Sequence, residues 1–206
     1  YGPSVPQMLG IPIAPPKAGP DNKIYPIEKY DMKVISAAFL AKEGQPLMLR
    51  GPMLGGIIQQ VLENVEWGEL DVLIVDMPPG TGDAQLTMAQ RGALTGAVIV
   101  STPQDLALLD ARKGLNMFKR VEVPVLGVIE NMSYFLCPHC GERSEIFTHG
   151  GARKAAGQMG VDFLGEIPLE MAIREGSDTG RPVVATQQDS PQANASHAIA
   201  DALWKK

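Results

Sequence analysis

Cys137 and Cys140, in the stretch Cys137-Pro138-His139-Cys140-Gly141, are the two cysteines of the chain and lie three positions apart. Two thiolates at this spacing can chelate one metal from a single turn, but a tetrahedral or cubane site asks for four ligands. One chain supplies two of them, and a twofold axis through the metal would supply four. The same tetrad also serves thiol–disulfide exchange, where the first cysteine caps a helix that lowers its pKa. Gly141-Glu142-Arg143-Ser144 gives no helix start, which weighs against redox catalysis. Zinc on the same four thiolates is chemically as good as an iron–sulfur cluster. His139 reads as exposed and structural, and neither His149 nor His197 belongs to a constellation visible in the sequence.

A second centre ends an apolar run. Leu70 to Val75 is followed by Asp76-Met77-Pro78-Pro79-Gly80-Thr81-Gly82-Asp83. A buried strand that delivers a carboxylate into small residues can hold magnesium, directly or through water. The backbone N–H groups of the loop could then approach an anionic oxygen. The plainer alternative is a solvent-facing acid at a strand end, with Asp83 capping the helix that follows.

The elements around these centres alternate. Strands are expected at Lys33 to Phe39, Pro46 to Leu49, Leu70 to Val75, Ala97 to Val100, Val123 to Ile129 and Phe163 to Ile167. Between them, Ile57, Ile58, Val61, Leu62 and Val65 form one helical stripe, and Leu108, Ala111, Leu115 and Phe118 form another. A further helix is expected from Ala84 to Arg91. Thr102-Pro103-Gln104-Asp105 reads as a capped helix start, and Ser190-Pro191 opens a last helix. Residues 1 to 20 hold six prolines and three glycines and read as an extended loop. Apolar strands alternating with helices predict an α/β fold, a doubly wound and mostly parallel sheet covered on both faces. Its ligands would sit beyond the carboxyl ends of the strands, so the loops after Val75, Val100, Ile129 and Ile167 share one functional edge.

Composition narrows the classes. With 45% apolar and 20% charged residues in 206, the chain suits one packed domain rather than a disordered one. No apolar run approaches the roughly 20 residues of a membrane helix. A net charge of −5 argues against broad nucleic-acid binding. Two closely spaced cysteines do not make a secreted disulfide framework, and no signal or transit segment opens the sequence, so a reducing cytoplasm is the expected compartment.

Taken in order, DVLIVDMPPGTGDAQL, VSTPQD, IENMSYFLCPHCG, HGGA, GEIPL and GRPVV closely resemble the Mrp (ApbC) family of iron–sulfur cluster carriers. These are deviant P-loop ATPases related to MinD, ParA and the nitrogenase iron protein, and the resemblance runs from YGPSVP through essentially the whole chain. It implies ATP and Mg2+ binding, a homodimer, and a [4Fe–4S] cluster bridged by the two cysteine pairs and passed to apo iron–sulfur proteins. Residue by residue, it assigns Asp76 to the Walker B role and Gly80 to the switch loop. Asn131 matches the asparagine that reads adenine, and Pro168 falls where the chain packs beside the base. An amide side chain can both donate to and accept from an adenine edge.

The resemblance also exposes a gap. The family's GKGGVGK(S/T) phosphate loop would precede Tyr1. The glycine-rich stretches Gly51 to Gly56 and His149 to Ala152 lack lysine and are rejected as substitutes. The expectation is therefore an incomplete P-loop domain over residues 1–206, missing its first strand, loop and helix and prone to self-association. Its cysteine loop covers about residues 131–150. The polypeptide as written is expected to show no ATPase turnover above a protein-free control, whereas a longer parent would hydrolyse ATP. The alternative is a non-catalytic dimeric scaffold binding zinc or an iron–sulfur cluster, with a vestigial nucleotide site.

Overall fold

A computed structural model describes residues 4–19, 23–40, 51–77, 82–91 and 94–206. The chain divides into two compact units, residues 1–93 with 177–181, and residues 94–176 with 182–206.

In the first unit, helix α1 (Ser4–Met8) interrupts the proline-rich opening that the sequence predicts to be extended throughout. Pro6 is buried within it, and the N–H of Ile11 donates to the Pro6 carbonyl at 2.8 Å. A proline near a helix start loses no hydrogen bond, so the short helix is allowed there. Strands β1 (Ile27–Lys29) and β2 (Met32–Val34) pair antiparallel, turned by Tyr30 and Asp31 with φ of 50° and 57°. The strand expected at Lys33 to Phe39 thus stops at Val34 and gives way to a 3-10 turn, Ala37–Leu40. Ile11, Val34 and Phe39 form a small core with Val5, Leu9 and Ile27 packed against it. Helices α2 (Gly51–Glu63) and α3 (Asp83–Arg91) complete the unit. The strand expected at Pro46 to Leu49 lies outside the described residues.

Leu70 to Val75 is not a strand. These residues are irregular, and Leu70, Val72, Leu73, Ile74 and Val75 are exposed, Ile74 by 86%. An apolar strand of this kind is stable only between sheet neighbours that cover both faces and both hydrogen-bonding edges. No neighbouring strand pairs with it among the described residues.

The second unit holds the expected parallel sheet. Strand β3 (Ala97–Ser101) leads through α4 (Asp105–Arg120) to β4 (Val125–Glu130). A two-stranded hairpin, β5 (Phe135–Leu136) with β6 (Arg143–Ser144), precedes α5 (Gly151–Met159), β7 (Phe163–Glu166), α6 (Met171–Asp178, whose last two residues count with the first unit), α7 (Val183–Thr186) and α8 (Pro191–Trp204). The sheet order is β3-β4-β7, both pairs parallel. Central β4 is the most buried strand, with Val128 at 1% and Glu130 at 0% exposure. Leu108, Leu115 and Phe118 of α4 point inward, as their spacing predicts.

Two helix starts test the capping argument. Ser190 accepts a hydrogen bond from the Ala193 N–H at 3.2 Å, as its sequence context predicts. Helix α4 instead begins after Gln104, whose side chain makes no cap hydrogen bond, so Thr102 is not its cap. Buried Pro103 therefore lies in the loop, and the α5 start packs against it. A Cβ on Gly151 would stand 2.5 Å from the Pro103 carbonyl oxygen, so only glycine fits this approach. No helix among the described residues is long and apolar enough to cross a membrane.

Candidate functional site

The cysteine hairpin grows out of the carboxyl end of β4. After Glu130 the chain turns through Asn131 and Met132, the latter held at φ 53° with its N–H on Asn131 Oδ1 at 2.9 Å. It then runs beside the continuation of β7. The Ile167 N–H donates to Glu130 O, the Ser133 N–H to Ile167 O, and the Leu169 N–H to Tyr134 O. This ladder sets Asn131 and buried Pro168 on the same edge of the sheet. The Asn131 N–H also donates to Ser101 O at 2.7 Å, which ties that edge to the end of β3. The side-chain nitrogen of Asn131 has no partner among the described residues, so its donor is available to a ligand.

Leu136 pairs with Arg143 to open the hairpin. At its tip the Cys137 N–H donates to Glu142 O at 2.9 Å and the Gly141 N–H to Cys137 O at 2.8 Å. Gly141, at φ 73°, supplies the left-handed residue that closes the turn. Both cysteines are free thiols, Cys137 half-buried and Cys140 exposed. The backbone N–H groups of Cys140 and then His139, followed by the Cys140 side chain, hydrogen-bond the Cys137 sulfur and hold its pKa below the ordinary thiol value. These donors favour the thiolate, the form that binds metal.

That asymmetry yields a pH-dependent outcome. Lowering the Cys137 pKa moves its ionisation curve to lower pH, so its thiolate fraction exceeds that of an ordinary thiol at neutral pH and the advantage vanishes once all thiols ionise. Iodoacetamide at neutral pH should therefore label Cys137 faster than it labels the cysteine of a short unstructured peptide, with the advantage lost in alkali. Peptide mass mapping over time reads the rate; a Cys137 rate no greater than that of the peptide at neutral pH would contradict it.

Behind the hairpin lies a cluster the sequence does not announce. Glu130 is fully buried, and its carboxylate accepts hydrogen bonds from Ser133 Oγ (2.6 Å), Gly150 N (3.1 Å) and Ala152 N (2.7 Å). It thereby caps α5, whose own N-cap residue Gly150 has no side chain and sits at φ 73°. A carboxylate at a helix N terminus is favoured by the exposed N–H groups and the helix dipole. His149 is part of this group after all, with Nδ1 at 3.7 Å from Glu130 and Nε2 at 3.7 Å from Glu166. Thr148 before it is held at φ 66°. The distances in sequence between these groups hide the cluster from any spacing rule.

Asp76, the expected metal-holding carboxylate, belongs to the first unit and is exposed on the irregular segment. Gly80 lies outside the described residues. Asn131, Pro168, Cys137 and Cys140 all belong to the second unit.

A three-stranded parallel sheet wrapped by helices, with amide, proline and thiol groups gathered past its carboxyl ends, defines a doubly wound α/β protein of the P-loop NTPase type. The fold matches that of a nucleotide-binding protein from Archaeoglobus fulgidus solved in complex with ADP, with a TM-score of 0.76 and 37% identity over 93% of this chain and 73% of that one. More narrowly, the chain belongs to the ParA family, whose model, described as NUBPL iron-transfer P-loop NTPase, matches residues 1–204. The iron–sulfur cluster transfer protein NUBPL of Dictyostelium discoideum is 50% identical over 207 residues, all of this chain and 64% of its own length. The iron–sulfur cluster carrier protein of Deinococcus radiodurans is 50% identical over 203 residues, 98% of this chain and 57% of that protein. This chain thus spans somewhat under two thirds of these relatives.

Proposed function

We propose that this chain is the larger part of an ATP-dependent iron–sulfur cluster carrier. In this reading Cys137 and Cys140 from each of two copies hold a [4Fe–4S] cargo on the dimer axis and pass it to apo iron–sulfur proteins. The observation that carries it is the paired free thiols at the hairpin tip, with Cys137 biased toward the thiolate. Thiolates are the ligands such clusters take, and two from each subunit complete the set of four. The names of the relatives above support the cargo.

ATP would lie against the β4–β7 edge, with the free amide donor of Asn131 toward the adenine and Pro168 beside it. The Mg2+ role of Asp76 and the switch role of Gly80 rest on the family resemblance alone. The chemistry of these groups suits those roles, since a carboxylate binds the hard cation and an amide the base edge. Bound nucleotide would act as a conformational switch, ordering loops near the dimer axis and so changing the geometry between the cysteine pairs. The cytoplasm is the expected compartment because two accessible thiols need reducing surroundings.

Anaerobic reconstitution with iron and sulfide tests the reading. One four-iron cluster per two chains, with visible charge-transfer absorbance and a dimer mass, is the expected result. A monomer that takes up no sulfide after reconstitution would refute it. One observation favours a second reading, a zinc-binding scaffold without a working nucleotide site: Asp76 stands exposed on an irregular segment, whereas a metal-holding carboxylate needs a fixed backbone. Titration of the full-length protein with MgATP separates the two, because a scaffold would give no binding isotherm.

A further inference from the structure

Arg143 reaches from the cysteine hairpin back to the sheet. It is the β6 residue paired with Leu136, and its guanidinium stacks on the Tyr134 ring at 3.9 Å. Its Nη2 lies 3.2 Å from each ring nitrogen of His149 and 3.7 Å from Glu166 Oε1 on β7. Ser133 Oγ stands 2.6 Å from Glu130 Oε1, 3.1 Å from Glu166 Oε2 and 3.0 Å from His149 Nδ1. A hydroxyl has one proton, so it cannot donate to both carboxylates at once. Glu166, which shares that hydroxyl with Glu130, also has the Arg143 guanidinium beside it. Glu130, His149 and Glu166 could otherwise share a divalent ion, since their ligand atoms lie within 4.8 Å of one another.

We infer that Arg143 is the positioning residue of the cysteine hairpin, fixing the Leu136–Arg143 strand pair against Glu166 and thereby the relative placement of the two sulfurs. The inference rests on the reading of Cys137 and Cys140 as a ligand pair. The Arg143 and Glu166 side chains are 41% and 27% exposed, so their ion pair adds little to global stability and acts chiefly through geometry. A fork that stacks on one ring while facing a carboxylate holds direction as well as charge, which lysine does not reproduce. Groups that orient metal ligands without touching the metal commonly govern affinity in this way.

Cobalt(II) is a suitable probe, added under reducing, anaerobic conditions and read by thiolate-to-cobalt charge-transfer absorbance. Arg143→Ala should weaken binding by about ten-fold, with Arg143→Lys between it and the unsubstituted chain. Glu166→Gln, which removes the other end of the pair, should weaken binding in the same direction and alter the tetrahedral cobalt spectrum. Thermal midpoints should stay nearly unchanged in all three. Unaltered affinity and spectrum in Arg143→Ala and Glu166→Gln would sink the inference while leaving the ligand pair intact. Absence of thiolate absorbance in the unsubstituted chain would sink the ligand pair and the inference with it. One cobalt bound by the double variant Cys137→Ser/Cys140→Ser, with an oxygen- and nitrogen-type spectrum, would instead make Glu130, His149 and Glu166 an ion site and overturn the role of Arg143.

Discussion

Replacing Cys137 or Cys140 by serine is expected to abolish retention of an iron–sulfur cargo, with nucleotide binding by the full-length protein unaffected. Under twofold symmetry each single substitution removes two of the four ligands, one from each copy, so the loss is greater than one thiolate alone would cause. Serine nearly preserves size, and its hydroxyl stays protonated at neutral pH, so the effect isolates the ligand atom. The two variants should differ in one respect. The strongest donor to the Cys137 sulfur is the backbone N–H of residue 140, which Cys140→Ser retains. Cys137 should therefore keep its enhanced alkylation rate in that variant even though the cargo is gone. Iron and sulfide counted after anaerobic reconstitution and desalting measure the loss, and a serine variant holding the full complement would disprove the ligand assignment.

The second large effect concerns Glu130. Its replacement by alanine would leave the N–H groups of Gly150 and Ala152 without their acceptor, inside a pocket where Glu130 is fully buried, and would turn the Ser133 hydroxyl over to Glu166 and His149. An unsatisfied buried polar group costs roughly 1–3 kcal/mol, and the shortened side chain adds a cavity. A loss of about 3 kcal/mol or more is expected, with Glu130→Gln less severe because its amide oxygen can still accept. Urea unfolding monitored by circular dichroism gives the difference. Equal midpoints for Glu130→Ala and the unsubstituted chain would show that α5 does not need this acceptor.

Much of the second unit was legible from local pattern. The β3 and β4 runs, the inward stripe of α4 and the Ser190 cap of α8 each depend on residues within one or two turns of each other. What local pattern missed depends on distant partners. Leu70 to Val75 has the composition of a buried strand, but composition cannot supply the neighbours that would bury it. Helix α5 lacks a side-chain cap of its own because Glu130 supplies one from β4, so no capping signal precedes it. His149 looked solitary for the same reason: the two carboxylates beside it come from β4 and β7. Cys137 and Cys140 were legible because their spacing alone carries chemical meaning. The environment that biases Cys137 toward the thiolate became visible only in the folded turn.

The clamp between Glu130 and the start of α5 closes the chain just before Asn131 and again just after His149. Everything that would hold cargo through the thiols lies inside this closed loop, while the strands and helices that form the core lie outside it. Small zinc-dependent domains collapse when emptied because metal binding and folding are one event. Here the loop ends are joined by protein hydrogen bonds, so the sheet does not rely on the cargo for its closure. On the proposed carrier reading, a loop closed in this way would let the thiols gain and lose a cluster without the sheet unfolding, and the empty form would stay fit to be filled again.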